Sequence, residues 1–261
     1  MRRIITTAGW LLAVIPAFVF AQIKVPVLKV QPRDTFELDH TGTLVVDSLI
    51  LLDASCINLN PKKNTNSIQA KVMVVGRNCY IYGRGKNGEN GSKGAAGSTS
   101  LGPCRNGSNG RPGTPGEDGK PGINLSFYLE KIIVNGNLII DLAGGNGGDG
   151  GDGGEGGGGS PGTVHCNGGN GGLGGEAGAG GNGGSGGTIT FRGSDHESLR
   201  LLLGSQVVVN TLGGSYGYGG IPGGGGSAGL GPRKSGVNGK NGRDALRGRP
   251  GTNGVIQFEQ Q

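Results

Sequence analysis

Three acidic side chains in one glycine-rich stretch are the candidate calcium ligands of this chain. Asp149, Asp152 and Glu155 recur at intervals of three residues. In an extended threefold helix this interval separates carboxylates by about 9 Å, too far to share one Ca²⁺ without help from a neighbouring segment. The spacing therefore favours a solvated acidic stripe, with calcium as the weaker alternative, and we expect no cofactor.

The histidines and glycine loops do not form a pattern typical of enzymes. His40, His165 and His196 are scattered among turn residues, and Ser194, Asp195 and His196 are adjacent in sequence, whereas a catalytic triad is assembled from separate parts of a fold. A nucleotide-binding loop requires a glycine turn between a strand and an α-helix, and helical periodicity is confined to the N-terminal leader. We expect a nonenzymatic protein, with a surface loop around His196.

Four cysteines permit two disulfides in an exported chain. Cys56 and Cys79 lie in a β-rich region, whereas Cys104 and Cys166 each interrupt a glycine-rich run. If the runs form hairpins that pack side by side, the first two turns are neighbours. The expected pairs are therefore Cys104–Cys166 and Cys56–Cys79, with free thiols or a metal site as the alternatives.

Glycine recurs at every third residue in three blocks, each with a central break. The blocks span 85–122, 144–187 and 213–254, with breaks at 98–106, 163–167 and 230–235. A period of three is that of the polyproline-II helix, in which glycine lets neighbouring helices approach closely enough to exchange backbone hydrogen bonds. The pattern predicts three antiparallel hairpins of polyglycine-II helices, six helices in a layered bundle. The GG-x pattern of 144–187 offers two glycine faces, which places this hairpin at the centre.

Short apolar runs with β-branched residues precede and separate the glycine blocks. They occupy residues 22–84 and the interleaved segments 123–143, 188–212 and 255–261. Because each glycine block starts after an apolar run, a polar turn and a second apolar run, we expect stacked β-rungs with the hairpins leaving one side of the stack. The expected fold class is mainly β and irregular: a solenoid-like base from 22–84 that carries the glycine-rich region 85–261.

Composition agrees with a small apolar core. The chain has 62 glycines and 12 prolines in 261 residues, with 33% hydrophobic and 5% aromatic residues. Stability must then come mainly from backbone hydrogen bonds and a thin apolar layer. A formal charge of +6 is weak evidence for nucleic-acid binding, and we expect none.

Residues 1–21 have the organisation of a signal peptide. Arg2 and Arg3 precede an apolar run that ends at a small-residue site, and cleavage is expected between Ala21 and Gln22. The run is shorter than a membrane span, and no later run is apolar enough to be one. We expect export without a transmembrane segment in the mature chain, and a secreted, periplasmic or cell-surface location.

The glycine hairpins resemble the polyglycine-II bundles of T-even-type phage tail-fibre tip adhesins and of springtail glycine-rich antifreeze proteins. The resemblance covers roughly 85–254 and depends on periodicity. The run GRPGTPGEDGKPG at Gly110 to Gly122 also resembles bacterial collagen-like proteins. The tip adhesins recognise receptors through loops at the hairpin tips, which implies a binding role for the three breaks here.

These observations favour an exported, nonenzymatic structural or adhesin-like module whose partner is a cell-surface glycan or protein. The expected contacts are Tyr216, Tyr218, Arg233 and Lys234, because Arg and Tyr present forked donors and flat apolar faces. An ice-binding protein and a collagen-like trimeric stalk remain as alternatives. We expect a monomer, or a trimer if the chain is collagen-like. The basic residues of 233–249 suggest a patch for an anionic polysaccharide or a lipid headgroup, although a solvated face is the favoured interpretation.

Overall fold

The computed structural model describes residues 25–194 and 196–259. The predicted signal peptide, with Ala21 and Gln22, lies outside these residues. Within them the chain forms eleven β-strands and one short helix. In chain order these are β1 Val25–Val30, β2 Thr35–Glu37, β3 Thr43–Leu51, β4 Cys56–Asn58, β5 Thr65–Val75, β6 Cys79–Tyr82, β7 Asn124–Val134, β8 Leu138–Asp141, β9 Ile189–Arg192, α1 His196–Leu202, β10 Val207–Asn210 and β11 Ile256–Glu259.

The strands alternate along the chain between two parallel sheets. Sheet A has the order β1-β3-β5-β7-β9-β11, and sheet B has the order β10-β8-β6-β4-β2. Each sheet is therefore built by adding one strand per turn of the chain, always in the same direction. The expectation of a mainly β and irregular protein is confirmed.

One apolar core joins the two sheets. Buried residues alternate along most strands, because successive side chains of a strand point to opposite faces. In the long strands β3, β5 and β7 one additional residue interrupts the alternation near the middle of the strand. Leu49 and Ile68 of sheet A and Ile57 of sheet B are fully buried in the same cluster. Phe127, Phe191 and Phe258 add a row of ring contacts across sheet A, with centroids 5.9 and 5.4 Å apart. This core is the base from which the glycine-rich segments extend.

The segment around His196 differs from the sequence prediction. A surface loop followed by an apolar β-run was expected, whereas the chain forms α1. Leu199 is buried and Leu202 packs against the core. Residues three apart share one face of a helix, so a single helical turn buries both leucines. The apolar residues of this segment thus follow the period of a helix that is only two turns long.

Six glycine-rich segments leave and re-enter the sheets at the same side. We number them I (85–97), II (107–122), III (144–162), IV (168–187), V (213–229) and VI (236–254). Segments I, III and V follow the sheet B strands β6, β8 and β10, and segments II, IV and VI lead into the sheet A strands β7, β9 and β11. Each pair of segments therefore forms one long connection from a strand of sheet B to the next strand of sheet A.

Backbone hydrogen bonds with a period of three join these segments into two layers. Gly85 N donates to Ala143 O at 2.9 Å, and the bond recurs at every third residue to Gly97. Corresponding ladders place I, III and V side by side in one layer, and II, IV and VI in the other. Across the layers the segments run antiparallel, as in the bond of 2.8 Å from Gly172 N to Gly157 O. Each layer continues one sheet.

The prediction that the pair 144–187 is central is confirmed. Segment III accepts hydrogen bonds from I and IV and donates to II and V, and segment IV has four bonded neighbours as well. Consecutive glycines let segment III contact four neighbours. Gly147 N donates to Ser215 O of segment V, whereas Gly148 N donates to Glu117 O of segment II. A Cβ at Gly147 would overlap Gly181 O of segment IV, and a Cβ at Gly148 would overlap Glu89 O of segment I, so a side chain at either position would push a neighbouring segment away.

One predicted disulfide is present and the other is wrong. Cys104 and Cys166 are bonded, with their Cα atoms 6.0 Å apart, whereas Cys56 and Cys79 are free thiols. Cys56 is aligned with Tyr80 in neighbouring strands of sheet B. Cys79 is one residue earlier and therefore points to the opposite face, where it is fully buried. Two sulfurs on opposite faces of a sheet cannot bond.

Candidate binding surfaces

The three breaks in the glycine pattern form the end of the molecule farthest from the sheets. Loops 98–106 and 163–167 are joined by the Cys104–Cys166 disulfide. The third loop is held to the second pair of segments by backbone bonds, from Gly162 N to Leu230 O at 2.7 Å and from Gly168 N to Lys234 O at 2.8 Å. The loops therefore form one continuous end surface.

Each of the three loops exposes one aliphatic side chain. Leu101 is 92% exposed, Val164 is 72% exposed and Leu230 is 76% exposed. We call these three residues, with Arg233 and Lys234, the tip surface. The sequence analysis singled out the two basic residues and missed the three aliphatic ones. The available signal was a single branched aliphatic residue in each otherwise polar break.

The tip loops have fixed local structure. Thr163 N donates to Cys166 O at 2.9 Å and Cys166 N donates to Thr163 O at 3.3 Å, which leaves Val164 and His165 at the apex of a tight turn. In the first loop Cys104 takes a left-handed conformation with φ 64°. Its amide N donates to Pro161 O at 2.8 Å, which anchors the loop to the neighbouring segment. The exposed aliphatic residues therefore lie on loops that hydrogen bonds and a disulfide hold in place.

The predicted contacts do not form one site. Arg233 and Lys234 lie at the tip, whereas Tyr216 and Tyr218 lie in segment V, more than ten residues nearer the sheets. At about 3.1 Å per residue the separation exceeds 30 Å. The tyrosines contact each other edge to face at 5.4 Å between centroids, and the Arg247 guanidinium lies 4.9 Å from the Tyr216 ring.

Arg247 was missed as a partner of the tyrosines. Its Nη1 also donates to the Tyr216 hydroxyl at 3.0 Å. Segments V and VI pair antiparallel around the loop 230–235, as in the bond from Gly248 N to Gly217 O. Counting glycines outward from that loop would have placed Arg247 beside the tyrosines.

The acidic stripe has a structural role that explains its spacing. Asp149 Oδ1 accepts a hydrogen bond from Tyr218 N at 2.7 Å, and Asp152 Oδ1 accepts one from Ile221 N at 2.8 Å. Both carboxylates therefore lie over segment V and bind its backbone. Among the described residues no three His, Cys, Asp or Glu side chains are grouped so as to hold a metal ion.

Asparagines do the same across both layers. Asn87 Oδ1 accepts from Asn146 N, and Asn146 Oδ1 accepts in turn from Ser215 N, so side chains link segments I, III and V. In the other layer Asn106 and Asn170 link II, IV and VI in the same way. Where the outward residue of a triplet is Asn or Asp, its side chain can thus satisfy an amide that the glycine ladder leaves unpaired.

Shifted titrations lie in the sheets and have local causes. Burial, with a smaller contribution from the Glu37 charge, raises the pKa of the Cys56 thiol. Hydrogen bonds from Thr41 lower the pKa of Asp39, and a hydrogen bond from the Arg77 amide is the largest cause of the lowered pKa of Asp53. The hydrogen bond to Asp47 raises the pKa of Lys71. These shifts come from stabilising contacts in the base of the molecule.

The part of the chain that the structure describes contains no helix with the length and apolar character needed to cross a membrane. No protein-family model matches the chain, and no curated protein matches it either. A solved structure with some similarity is the springtail antifreeze protein of Granisotoma rainieri, described as a bundle of nine polyproline type II helices. It is 28% identical over 68% of this chain and 95% of its own, with a TM-score of 0.14. At that score the likeness carries no argument on fold or function.

Proposed function

We propose that the protein is an exported, nonenzymatic binding module in which a rigid polyglycine-II bundle presents the tip surface to a cell-surface glycan or protein. The sheets are the folding base, the bundle is the spacer and the three loops are the contact region. Loops held on a rigid scaffold are a common location for binding residues.

The carrying observation is the group of exposed aliphatic residues at the tip. Leu101, Val164 and Leu230 come from three separate loops, and each is at least 72% exposed. Apolar side chains on three linked loops at one exposed end, with Arg233 and Lys234 on the third of these loops, have the composition of a binding surface, which combines apolar and polar residues. The rigid loops limit the conformational entropy that binding would cost.

The hydrogen-bond pattern supports assigning all six segments as polyglycine-II helices. This conformation has a period of three and no internal hydrogen bonds, so its amides must bond to neighbours. The glycine amides of segment II, for example, donate to segment IV of the same chain, from Gly107 to Gly122. Because these bonds are intramolecular, they favour a monomer over the collagen-like trimeric stalk.

Export is supported by the leader sequence and by the disulfide. The Cys104–Cys166 bond links two loops at an exposed end, where a reducing compartment would open it. We therefore assign the mature chain to a secreted, periplasmic or cell-surface location, with cleavage between Ala21 and Gln22.

Ice binding is the alternative function. The outward positions of segment III are Asn146, Asp149, Asp152 and Glu155, and ionised carboxylates are more strongly hydrated than the small residues suited to an ice face. The outward row of segment VI contains Lys240, Arg243 and Arg249. Both rows favour the adhesin-like function over ice binding.

The test compares two variants that each remove three exposed aliphatic residues. The tip variant carries Leu101→Ser, Val164→Ser and Leu230→Ser, and the control carries Leu173→Ser, Leu212→Ser and Ile221→Ser on the sides of the bundle. Binding to a glycan array and to intact cells is measured with the wild type and both variants, and ice recrystallisation is measured in parallel.

We expect the tip variant to lose binding at least tenfold and the control to bind like the wild type. Equal loss in both variants, or retained binding by the tip variant, would refute the tip surface as the site. Inhibition of ice recrystallisation by the wild type and the tip variant alike, without cell or glycan binding, would establish the alternative.

A further inference from the structure

A straight row of basic side chains runs along segment VI and ends at the third loop. The row consists of every third residue of the chain. The backbone carbonyl of each member accepts a hydrogen bond from segment IV, beginning with Gly168 N to Lys234 O and ending with Gly186 N to Thr252 O. The residues of the row therefore share one register and one face. In chain order they are Lys234, Val237, Lys240, Arg243, Leu246, Arg249 and Thr252.

The charges of this row are exposed and mostly unopposed. Among the described residues the row makes one ion pair, between Arg243 and Glu176 at 3.6 Å, in which Arg243 remains 89% exposed. Arg233 and Arg247 lie beside the row and add positive charge. The carboxylates of Asp149, Asp152 and Glu155 belong to the other layer of the bundle. Segment III thus carries only acidic charges and the row only basic ones, and the two lie in different layers.

The row is also rigid and regularly spaced. Asn182 Oδ1 accepts from Arg249 N at 2.8 Å, and Asn170 Oδ1 accepts from Val237 N at 2.8 Å, so side chains of segment IV hold the backbone of the row at two points. A period of three residues corresponds to about 9 Å, and the distance from Lys234 to Arg249 is about 46 Å. Four cationic side chains therefore lie along a line at multiples of this interval, which are two intervals from Lys234 to Lys240, one from Lys240 to Arg243 and two from Arg243 to Arg249.

We propose that this row binds a linear acidic polysaccharide lengthwise. A disaccharide repeat that carries a sulfate or carboxylate has a length close to one or two intervals of the row, so charges on the ligand and on the protein can stay in register. Val237 and Leu246, both exposed between the basic residues, offer apolar contacts to the faces of sugar rings. The row shares Lys234 with the tip surface, but its other residues lie along the bundle and it does not depend on the aliphatic residues of the tip.

The geometry favours a polysaccharide over the other polyanions. Phosphates of each strand of a DNA duplex rise by about 3.4 Å per nucleotide along the helix axis, less than the interval of the row, and the row contains no aromatic residue on which a base of a single strand could stack. An anionic membrane would require a broad basic surface, whereas the neighbouring outward row on segment IV includes Glu176 and leaves a single basic line.

Two charge-matched variants test the proposal. The row variant carries Lys240→Gln, Arg243→Gln and Arg249→Gln. The control carries Lys93→Gln, Arg111→Gln and Lys120→Gln, three exposed basic residues of segments I and II without an ion pair among the described residues. Each variant lowers the formal charge of +6 by three. Binding to dextran sulfate and to alginate is measured by calorimetry at several salt concentrations, with neutral dextran, double-stranded DNA and phosphatidylserine vesicles as comparison ligands.

We expect the wild type to bind both acidic polysaccharides and not neutral dextran, with an affinity that falls as salt rises. The row variant is expected to lose affinity at least tenfold and the control less than threefold. Equal losses in the two variants would show that net charge alone governs binding and would overturn the proposal. Tighter binding to DNA or to vesicles, or no binding to either polysaccharide, would overturn it as well.

Discussion

Replacing Gly154 by alanine tests whether close approach of the segments stabilises the molecule. Gly154 lies in segment III and faces segment I. An added Cβ would lie 2.5 Å from the carbonyl carbon of Ala95 and closer still to its oxygen. No rotation of a side chain relieves this overlap, because both groups belong to the backbone. Segments I and III must therefore separate.

The expected cost follows from the bonds around this position. Segment I is held to segment III here by two backbone bonds, from Gly94 N to Asp152 O at 2.8 Å and from Gly97 N to Glu155 O at 2.6 Å. Loss of these two hydrogen bonds costs about 2 kcal/mol, at about 1 kcal/mol each. Overpacking adds about 1–3 kcal/mol. The Gly154→Ala variant should therefore be destabilised by about 3–5 kcal/mol.

Gly158→Ala is the matched control. Gly158 lies in the same segment but points outward, and the nearest atom to an added Cβ is Thr99 Oγ1 at 3.4 Å. Alanine at a compatible glycine position stabilises a protein by about 0.4–1 kcal/mol, because it restricts the unfolded chain. The two substitutions are thus expected to have opposite signs in the free energy of unfolding, measured by denaturant titration. If Gly154→Ala destabilises no more than Gly158→Ala, the packing argument fails.

Three further outcomes are expected. Replacing Cys104 and Cys166 by serine should lower the free energy of unfolding by about 4 kcal/mol, because the disulfide closes a long loop. A loss below about 1 kcal/mol, determined by thermal unfolding, would contradict this. Asn146→Ala should cost about 1–3 kcal/mol by leaving Ser215 N without its acceptor, whereas Asn146→Asp keeps the acceptor oxygen and should unfold like the wild type in urea. The lowered pKa of Asp53 means that its contribution to stability is present at neutral pH and lost as pH falls below the usual 3.8. Asp53→Asn should therefore reduce the acid sensitivity of unfolding, and an unchanged acid limb in circular dichroism would refute this assignment.

The glycine periodicity predicted most of the bundle because a Cβ at every third residue would overlap the backbone of a neighbouring segment. The position of the pair 144–187 followed from its double glycines, and the disulfide of Cys104 with Cys166 followed from the adjacency of two hairpin turns. In both cases the pattern extends over many residues, so local irregularities do not change the prediction.

Features that depend on one or two residues were harder to predict. The pairing of Cys56 with Cys79 failed because strand register decides which face each sulfur occupies, and a short strand carries little register information. The helix α1 is too short for its period to be distinguished from a β-run. The acidic stripe was interpreted as a solvated face because the neighbouring amides of Tyr218 and Ile221 are contacts from a distant part of the chain.

The binding surfaces depend on the arrangement of separate segments. Leu101, Val164 and Leu230 are ordinary loop residues in sequence, and only the side-by-side packing of the hairpins groups them. The same holds for Tyr216 and Arg247, which meet because segments V and VI pair around one loop. Such groupings follow from the register between segments more than from local composition.

That register is set by the sheets. In sheet B, Cys79 is aligned with Leu138 and Leu138 with Val207. These sequence separations recur in the bundle, where the hydrogen bonds between Asn87 and Asn146 and between Asn146 and Ser215 span 59 and 69 residues. Sheet A and its layer likewise share separations of 64 and 67 residues, as in the bonds that Asn106 and Asn170 accept.

The strands and the glycine-rich segments therefore share one register. The glycine-rich segments have the same three-residue repeat along their length, so pairing shifted by one triplet would keep the glycine ladder intact. Such a shift would leave Asn146 and Asp149 opposite the wrong amides and would separate Cys104 from Cys166. The apolar strands exclude this shift. A triplet is an odd number of residues, and sliding a strand by an odd number of residues would move its buried side chains to the wrong face. The base of the molecule thus supplies the register information that the repetitive bundle lacks, and through it the arrangement of the tip surface and of the basic row.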